Sequence, residues 1–217
     1  MFGTSSLTKG KQRGIQVMMG IGPRLAFLAI VCFAVSAPAG HAENIAVRNC
    51  TWCHGTGAQG YTPAPRLAGQ RLQYLENQLA GFRSHGRDNP FSKQYMWGAA
   101  ASLSPQSAHD LAMYFSMLPP RPAGDGETEL VATGKTIYQQ GMPEDNIVAC
   151  VVCHGPNAEG VGQIPRLGGL DYSYLKRTLE QWGQGYHLNS GPPMPDIASK
   201  LSPDQVAALA SYLSFVK

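Results

Sequence analysis

Two segments of the chain carry apolar residues at the spacing of one helical face. These residues recur every three or four positions and are Ala108, Leu111, Ala112 and Phe115, then Val206, Leu209, Ala210 and Leu213. Ser104 and Ser202 precede the two segments, and a proline follows each serine. Serine is a preferred N-cap, and proline is tolerated at the first helical position because its missing N–H costs nothing there. The pattern predicts two helices with equivalent starts, and Gln205 is placed to complete a capping box in the second.

Three further segments predict helices, and no segment predicts a strand. Residues 74–82 and 174–182 are expected to form middle helices whose leucines at 75, 79, 175 and 179 face inward. Residues 131–140 predict a helix as well, whereas the corresponding stretch 43–49 has room only for a short one. Apolar and polar residues nowhere alternate convincingly with a period of two. The predicted fold class is therefore all-α.

The chain contains a tandem repeat. With an offset of 100 positions the first copy matches the second at Gly55, Gly60, Pro65-Arg66-Leu67, Gly69, Tyr74-Leu75 and Leu79. Beyond residue 82 the offset falls to 98, so Leu103-Ser104-Pro105 matches Leu201-Ser202-Pro203. Residues 119–127 between the copies are rich in proline, glycine and charge, which is typical of a linker. We expect a first half at 43–118, a linker at 119–129 and a second half at 130–217.

Each half carries a sequence that is typical of covalent haem attachment. Cys50-Thr51-Trp52-Cys53-His54 in the first half returns as Cys150-Val151-Val152-Cys153-His154 in the second. In a C-x-x-C-H motif the two cysteines add to the vinyl groups of one porphyrin, and the histidine ligates its iron. Two copies at matching places in a repeat predict two covalently bound haem c groups. A zinc site on the two C-x-x-C pairs is the alternative, but zinc prefers four thiolate or imidazole ligands and leaves paired methionines without a role.

The sixth iron ligand is expected to be a methionine in each half. Met96 and Met194 correspond in the repeat, and each lies seven residues before the Leu-Ser-Pro helix start. Met194 lies in a proline-rich segment that we expect to be stiff and extended. A packing role is the alternative for both residues. Among the other methionines, Met113 and Met117 are one helical turn apart and are expected in the core.

The histidines outside the two motifs are expected to have no ligand role. His85 and His187 are alternative iron ligands, but they do not correspond in the repeat and lie in polar, glycine-containing stretches. Both are expected in solvent-exposed loops. His109 lies on the polar side of a predicted helix and needs no function.

A proline and an arginine that follow each motif histidine allow specific predictions. Pro65 and Pro165 follow the histidines by eleven positions and are expected to lead the chain past the imidazoles. A nearby carbonyl then accepts a hydrogen bond from Nδ1–H and fixes the ring. Arg66 and Arg166 are candidates to bind haem propionates, with an exposed surface position as the alternative.

The N-terminal residues predict export of the chain. An apolar run at 25–35 follows four basic residues and precedes small residues that offer cleavage after 39 or 42, which is typical of a secretory signal peptide over 1–42. The run is short for a membrane span, although an uncleaved anchor is the alternative. Translation from Met18 or Met19 instead of Met1 would shorten the leader. Cys32 is expected to leave with the leader, so no disulfide and no free thiol are expected.

Charge argues against a nucleic-acid partner. The whole chain has 17 basic and 14 acidic side chains, and four of the basic ones lie in the predicted leader. The remainder is close to neutral, which gives no case for nucleic acid. Residues 43–120 carry six basic and four acidic side chains, whereas 121–217 carry seven and ten. Such a dipole could orient docking on a partner.

These motifs resemble class I cytochrome c, and their duplication after a leader resembles the two-haem cytochrome c4 family. The resemblance rests on C-x-x-C-H-G, on Pro65-Arg66-Leu67-Ala68-Gly69-Gln70, and on a methionine before a Leu-Ser-Pro helix. It covers nearly all of residues 43–217 and implies two helical domains with axial pairs His54–Met96 and His154–Met194. The sequence departs from the pattern in its curtailed first helix and in Gly169-Leu170, where the first half has Gly-Gln.

The resemblance implies a periplasmic electron carrier without catalytic activity of its own. Outer-sphere transfer is expected between redox partners such as a terminal oxidase, a quinol-oxidising complex or a periplasmic dehydrogenase, with peripheral membrane association allowed. One alternative is a dedicated cytochrome subunit of a periplasmic dehydrogenase. Another is a two-haem peroxidase, which requires one haem with an open or displaceable sixth position.

Overall fold

A computed structural model describes residues 44–187 and 191–217. The predicted leader, its cleavage sites and Cys32 lie outside these residues. Within the described ranges, no helix is long and apolar enough to cross a membrane.

The first half is built from two long helices and several short turns. In chain order its elements are a π-helical turn (Ala46–Cys50), α1 (Thr51–His54), α2 (Leu72–Arg83), a second π-helical turn (Ser92–Met96), α3 (Trp97–Ala100) and α4 (Pro105–Met117). The helix ahead of the attachment motif is short, as predicted.

The second half repeats this order and adds a long helix at its start. Its elements are a 3₁₀ turn (Thr128–Leu130), α5 (Val131–Gln140), a second 3₁₀ turn (Pro143–Asp145), α6 (Val151–His154), α7 (Tyr172–Gly183), α8 (Met194–Ala198) and α9 (Pro203–Phe215). Across the described parts of both halves, β-structure is limited to three isolated bridges. The all-α prediction is confirmed.

The predicted caps and apolar faces are present in the last helix of each half. Ser104 Oγ accepts a hydrogen bond from Ser107 N at 3.0 Å, and Ser202 Oγ accepts one from Gln205 N at 3.3 Å. Gln205 Oε1 in turn accepts from Ser202 N at 2.8 Å, which completes the capping box. Every apolar residue of the two predicted faces is buried.

The core of the second half forms where α5 crosses α9. Gly134 on α5 allows the close approach, because a Cβ at this position would lie 1.9 Å from the carbonyl oxygen of Ala208 on α9. Tyr138, one turn further along α5, is fully buried, and its hydroxyl donates to Gly155 O at 2.6 Å beside the second attachment motif. This helix pair therefore places the loop that follows His154.

The first half has a smaller core and no such crossing among its described residues. Ala46 from the opening turn packs against Leu75 of α2 and against Leu111 and Phe115 of α4. Met117 was expected in this core, but its side chain is 68 % exposed, because α4 turns that face outward at its last turn. The first half therefore holds its attachment motif with less apolar burial than the second.

Residues 119–127 contain no helix but are not a free tether. Ala123 N donates to Gly169 O at 3.0 Å, and Gly124 N donates to Ser214 O at 2.9 Å. Gly126 N donates to the side chain of Ser214 at 3.1 Å. The segment therefore lies along the second half and is fixed to it by backbone hydrogen bonds.

Candidate haem sites

Each C-x-x-C-H motif forms a single helical turn that collects its three reactive side chains. Cys50 caps α1, which runs from Thr51 to His54, so that the two cysteines lie three residues apart on the same side of the turn. Cys150 occupies the same place on α6. The second cysteine of each motif is exposed, and none of the four forms a disulfide. Each turn therefore offers two separate thiols and one imidazole.

The first thiol of each motif is not a stabilised thiolate. Burial raises the pKa of Cys50 to about 11, with a further contribution from Cys53, and burial raises the pKa of Cys150 to about 11 as well. Reactive C-x-x-C pairs and zinc ligands instead have stabilised thiolates. No group of three or more histidine, cysteine or acidic side chains is arranged for a metal ion within 44–187 and 191–217. The zinc alternative therefore gains no support.

The two motif histidines are buried and held by the carbonyls of the predicted prolines. His54 Nδ1 lies 2.7 Å from Pro65 O, and His154 Nδ1 lies 3.1 Å from Pro165 O. Burial lowers the pKa of both imidazoles, and the prolyl hydrogen bond opposes this only in part. The rings are therefore neutral, with Nδ1 donating to the carbonyl and the Nε2 lone pair free for a metal. The predicted carbonyl acceptor is confirmed.

The loop between histidine and proline closes by a glycine turn in both halves. Gly60 N donates to His54 O at 2.9 Å, and Gly160 N donates to His154 O at 2.8 Å. Gly60 has φ +78°, and a Cβ there would lie 2.4 Å from Arg66 N. Gly160 is equally crowded, at 2.3 Å from Ile164 O. Only glycine fits these positions, which explains why the repeat retains it beside both motifs.

This donor set fits a covalently attached haem. The sulfurs of one turn suit the two vinyl groups, and the free Nε2 of the following histidine suits the iron. When bound, each haem iron supplies a one-electron couple. The chain contributes neutral, oriented imidazoles.

The two methionines occupy equivalent places but different local structures. Met96 ends the π-helical turn and caps α3, whereas Met194 is the first residue of α8. Both side chains are half-buried. The expectation that Met194 lies in an extended segment is wrong, because the chain becomes helical at this residue. The assignment of both residues as iron ligands stays a prediction.

The remaining histidines differ in their environments. His85 is exposed, as expected, and stacks on Trp97 with ring centroids 3.9 Å apart. His109 Nδ1 pairs with Glu76 Oε1 on α2. His187 was expected in an exposed loop, but it is 9 % exposed, and its Nε2 lies 2.8 Å from Gln181 Oε1. Burial, aided by the charge of Arg87, lowers the pKa of His187 to about 4.

Arg66 has a different role from either one that the sequence suggests. It is 4 % exposed, and its guanidinium donates to Gly169 O at 2.7 Å, to Gly168 O at 2.5 Å and to Arg121 O at 2.5 Å. These carbonyls belong to the second half and the linker. Arg66 is therefore neither an exposed residue nor a free propionate ligand; it binds the two halves together. Its repeat partner Arg166 is half-buried and donates through Nε to Gly168 O at 3.3 Å.

Gln70 is a second residue of the junction, the surface where the two halves meet. Its Nε2 donates to Arg166 O at 2.9 Å, and its Oε1 accepts from Arg166 N at 2.7 Å, so one amide pairs with one residue's backbone. The only signal in the sequence was the asymmetry of the repeat, because leucine replaces Gln70 at position 170. Periodicity within one half has no information about contacts between the halves.

Comparison with known proteins places the chain in a family. The family model for cytochrome c matches residues 41–118 and again 131–217. The chain is 35% identical over 170 residues to cytochrome c4 of Thiocapsa roseopersicina, covering 76% of this chain and 85% of that protein. It is 38% identical over 179 residues to the thiosulfate dehydrogenase electron acceptor of Stutzerimonas stutzeri (strain A1501), covering 80% and 81%.

A solved structure agrees with the sequence comparison. The crystal structure of reduced recombinant cytochrome c4 from Pseudomonas stutzeri superposes with a TM-score of 0.75 at 30% identity, covering 82% of this chain and 98% of that one. The two matched domains with their C-x-x-C-H motifs carry two covalently bound haem c groups and transfer electrons, as an electron carrier and not as an enzyme. The chain belongs to the cytochrome c family, as a tandem two-domain member of the cytochrome c4 type.

Proposed function

We propose that this cytochrome carries electrons in the periplasm between a reducing and an oxidising redox protein. We assign one haem to Cys50 and Cys53 with axial ligands His54 and Met96. The other is assigned to Cys150 and Cys153 with His154 and Met194. The domains are proposed at 43–118 and 130–217, joined by 119–129 after removal of 1–42 as a signal peptide. Redox proteins are the general class of partner, and an oxidase, a quinol-oxidising complex or a dehydrogenase are the candidates within it.

The observation that carries the proposal is the buried, carbonyl-bound histidine in both motifs. Pro65 O and Pro165 O hold the two imidazoles in one tautomer and one orientation. A ligand that is already fixed changes little when the charge on the metal changes, which favours rapid electron exchange. A methionine thioether as the second iron ligand would close the remaining position and raise the reduction potential.

Replacement of each methionine tests the ligand assignment. We expect Met194→Ala and Met96→Ala each to open one haem to carbon monoxide and to lower one of two midpoint potentials. Met117→Ala is the matched control, because this methionine is 68 % exposed and lies at the end of α4. The measurements are carbon monoxide difference spectra and potentiometric titration of the holoprotein. A wild-type protein that binds carbon monoxide readily, or contains one haem, would contradict the carrier assignment and favour the peroxidase alternative.

A dedicated electron acceptor for a dehydrogenase is the second candidate. The similarity to a thiosulfate dehydrogenase electron acceptor favours it. Such a subunit needs a lasting interface with its dehydrogenase, whereas a free carrier exchanges partners. Gel filtration of a native extract separates the two functions, because co-elution with an oxidoreductase indicates the subunit and elution as a free small protein indicates the carrier.

A further inference from the structure

The residue that follows Met96 is a tryptophan whose side chain has three contacts. Trp97 Nε1 donates to Arg87 O at 2.9 Å. The His85 ring stacks on the indole, with ring centroids 3.9 Å apart and ring planes 12° from parallel. The ammonium of Lys93 lies 5.7 Å from the centre of the same ring, which is within the range of a cation–π contact. These contacts restrain both the position and the orientation of the indole.

The groups that hold Trp97 are themselves anchored to α2. His85 N donates to Phe82 O at 3.2 Å, and Arg87 N donates to Gly81 O at 3.1 Å. Phe82 and Gly81 lie in the last turn of α2, and the Phe82 side chain is buried in the first half. The loop after α2 is therefore closed onto this helix, and it gives the indole a fixed place to bind.

The ring pair is present in one copy of the repeat only. His85 has φ +61°, a conformation that residues with a side chain rarely adopt. At an offset of 100 the second half has Gly185, with φ +84°, and glycine is the residue expected in such a turn. At an offset of 98 the residue that matches Trp97 is Pro195, which has neither an aromatic ring nor an N–H. The stack is thus a feature of the first half that the second half cannot form.

Met96 lies in a turn whose two ends are both fixed. The π-helical turn Ser92–Met96 begins where Ser92 N donates to the side chain of the buried Asn89 at 3.0 Å. At the other end Trp97 N donates to Ser92 O, and the Trp97 indole binds the loop after α2. Single π-helical turns are frequent at functional sites. The Met96 side chain therefore projects from a backbone that is restrained on both sides.

We propose that Trp97 is a positioning residue for the Met96 thioether, a role that rests on the proposed assignment of Met96 as an iron ligand. We call the stacked His85 ring, the Trp97 indole and the carbonyl of Arg87 the indole clamp. A ligand whose backbone is already ordered loses less conformational entropy when it binds, so it competes better with small molecules for the same position. The indole clamp consequently keeps the first haem closed to external ligands.

Displacement of methionine by imidazole tests this role in the oxidised holoprotein. The readout is the far-red absorption band of ferric iron bound to methionine, and the titration step that is missing in Met96→Ala belongs to the first haem. Trp97→Phe keeps a ring and loses the N–H, so the imidazole concentration for half-displacement of Met96 should fall about fivefold. His85→Gly removes the stack without straining the backbone, and a fall of about threefold is expected.

Two controls separate positioning of Met96 from a general loss of stability. Tyr95→Phe removes a polar atom from the other neighbour of Met96, at a residue that is 50 % exposed, and should leave the titration unchanged. The step that belongs to Met194 should stay at the same imidazole concentration in every variant. A shift of both steps together would indicate general destabilisation and would overturn the role of Trp97.

A double variant tests whether His85 acts through the indole. Trp97→Leu should lower the half-displacement concentration of Met96 at least about tenfold, because it removes the ring and its hydrogen bond. His85→Gly should then have no further effect, since the stack is already absent. If Trp97→Leu does not fold, Trp97→Phe and His85→Gly decide the question.

The results that contradict the proposal differ from those that contradict the ligand assignment. An unchanged Met96 step in both Trp97→Phe and His85→Gly would overturn the role of Trp97 alone, and so would additive effects in the double variant. A far-red band of equal intensity in wild type and Met96→Ala would instead overturn the assignment of Met96 as a ligand.

Discussion

The two halves share an attachment turn, a middle helix and a last helix, but they are supported differently. In the second half α5 crosses α9 at Gly134 and brings Tyr138 to the loop beside His154. In the part of the first half that the structure describes, the short Ala46–Cys50 turn takes that place. The same attachment chemistry therefore rests on a larger core in one half than in the other.

The junction shows a matching division of roles. The first half supplies long polar side chains, namely Arg66, Gln70 and Arg71, and the second half receives them largely through its backbone. One hydrogen bond runs in the opposite direction: Arg177 of the second half donates to Pro63 O of the first half at 3.1 Å. The half with the smaller core is thus stabilised by hydrogen bonds from its own side chains to the second half. Four changes test this contrast between the halves.

Loss of haem attachment should have the largest effect, and should be worse in the first half. We expect Cys50→Ser with Cys53→Ser to abolish one haem and unfold α2 and α4, because a domain of this size buries little apolar surface unaided. Cys150→Ser with Cys153→Ser should also lose one haem but retain the α5–α9 pair. Far-ultraviolet circular dichroism and limited proteolysis measure the difference. Equal loss of helix in the two variants would contradict the contrast.

Replacement of Arg66 should cost more stability than replacement of its repeat partner. Arg66→Gln leaves buried carbonyls of Gly168 and Gly169 without their charged donor, and we expect a loss of about 3 kcal/mol. Arg166→Gln removes one long hydrogen bond from a half-buried side chain and should cost about 1 kcal/mol. Urea unfolding of the holoproteins measures both values. Equal losses would show that Arg66 does not hold the junction.

A methyl group at the α5–α9 crossing should destabilise the second half. Gly134→Ala forces the two backbones apart, and overpacking of this kind costs about 2 kcal/mol. Gly183→Ala is the control, because its Cβ would meet nothing within 4 Å at the end of α7. That variant should be neutral or gain up to about 1 kcal/mol from the better helix propensity of alanine. A Gly134→Ala protein as stable as the Gly183→Ala protein would be evidence against a close crossing.

The pH dependence of stability should reveal the neutral His187. Its pKa is about 4 in the folded chain and 6.5 in the reference state, so between these values the unfolded state binds more protons. The contribution of the neutral His187 to the free energy of unfolding is therefore fully present above about pH 6.5. It falls as the pH is lowered, by at most about 1.4 kcal/mol per pH unit.

The comparison with His187→Gln isolates this contribution. The variant should lose about 1 kcal/mol less than the wild type between about pH 6.5 and 5.5, because glutamine does not titrate. Arg87, at the same register in the first half, stays charged throughout. Identical pH profiles for wild type and variant would contradict a buried neutral imidazole at position 187.

Local signals in the sequence predicted the helices closely. The helix at 131–140 has the predicted bounds, the middle helices extend one or two residues beyond prediction at each end, and the serine caps are as expected. Caps and apolar periodicity depend on neighbours within a few residues. A carbonyl acceptor near Pro65 was predicted for His54 for the same reason, and the structure identifies it as Pro65 O.

The failed predictions concern residues whose surroundings come from distant parts of the chain. Met117 matched the period of α4, yet the fold leaves that end of the helix uncovered. His187 lies in a polar stretch, yet α7 and the charged junction enclose it. Arg66 is flanked by motif residues, but two of its three acceptors lie about a hundred positions away.

Short-range spacing and the chemistry of cysteine and histidine were sufficient to predict the all-α class, the repeat, the helix starts and the two attachment turns. The tertiary structure decided how the two copies meet. Equivalent positions of the two copies have different roles at the junction, because the environment of each residue there is formed by the other copy. Gln70 pairs with the backbone of Arg166, and Arg87 has the neutral His187 as its repeat partner. Burial and charge at such a surface depend on three-dimensional packing, which no periodicity within one copy specifies.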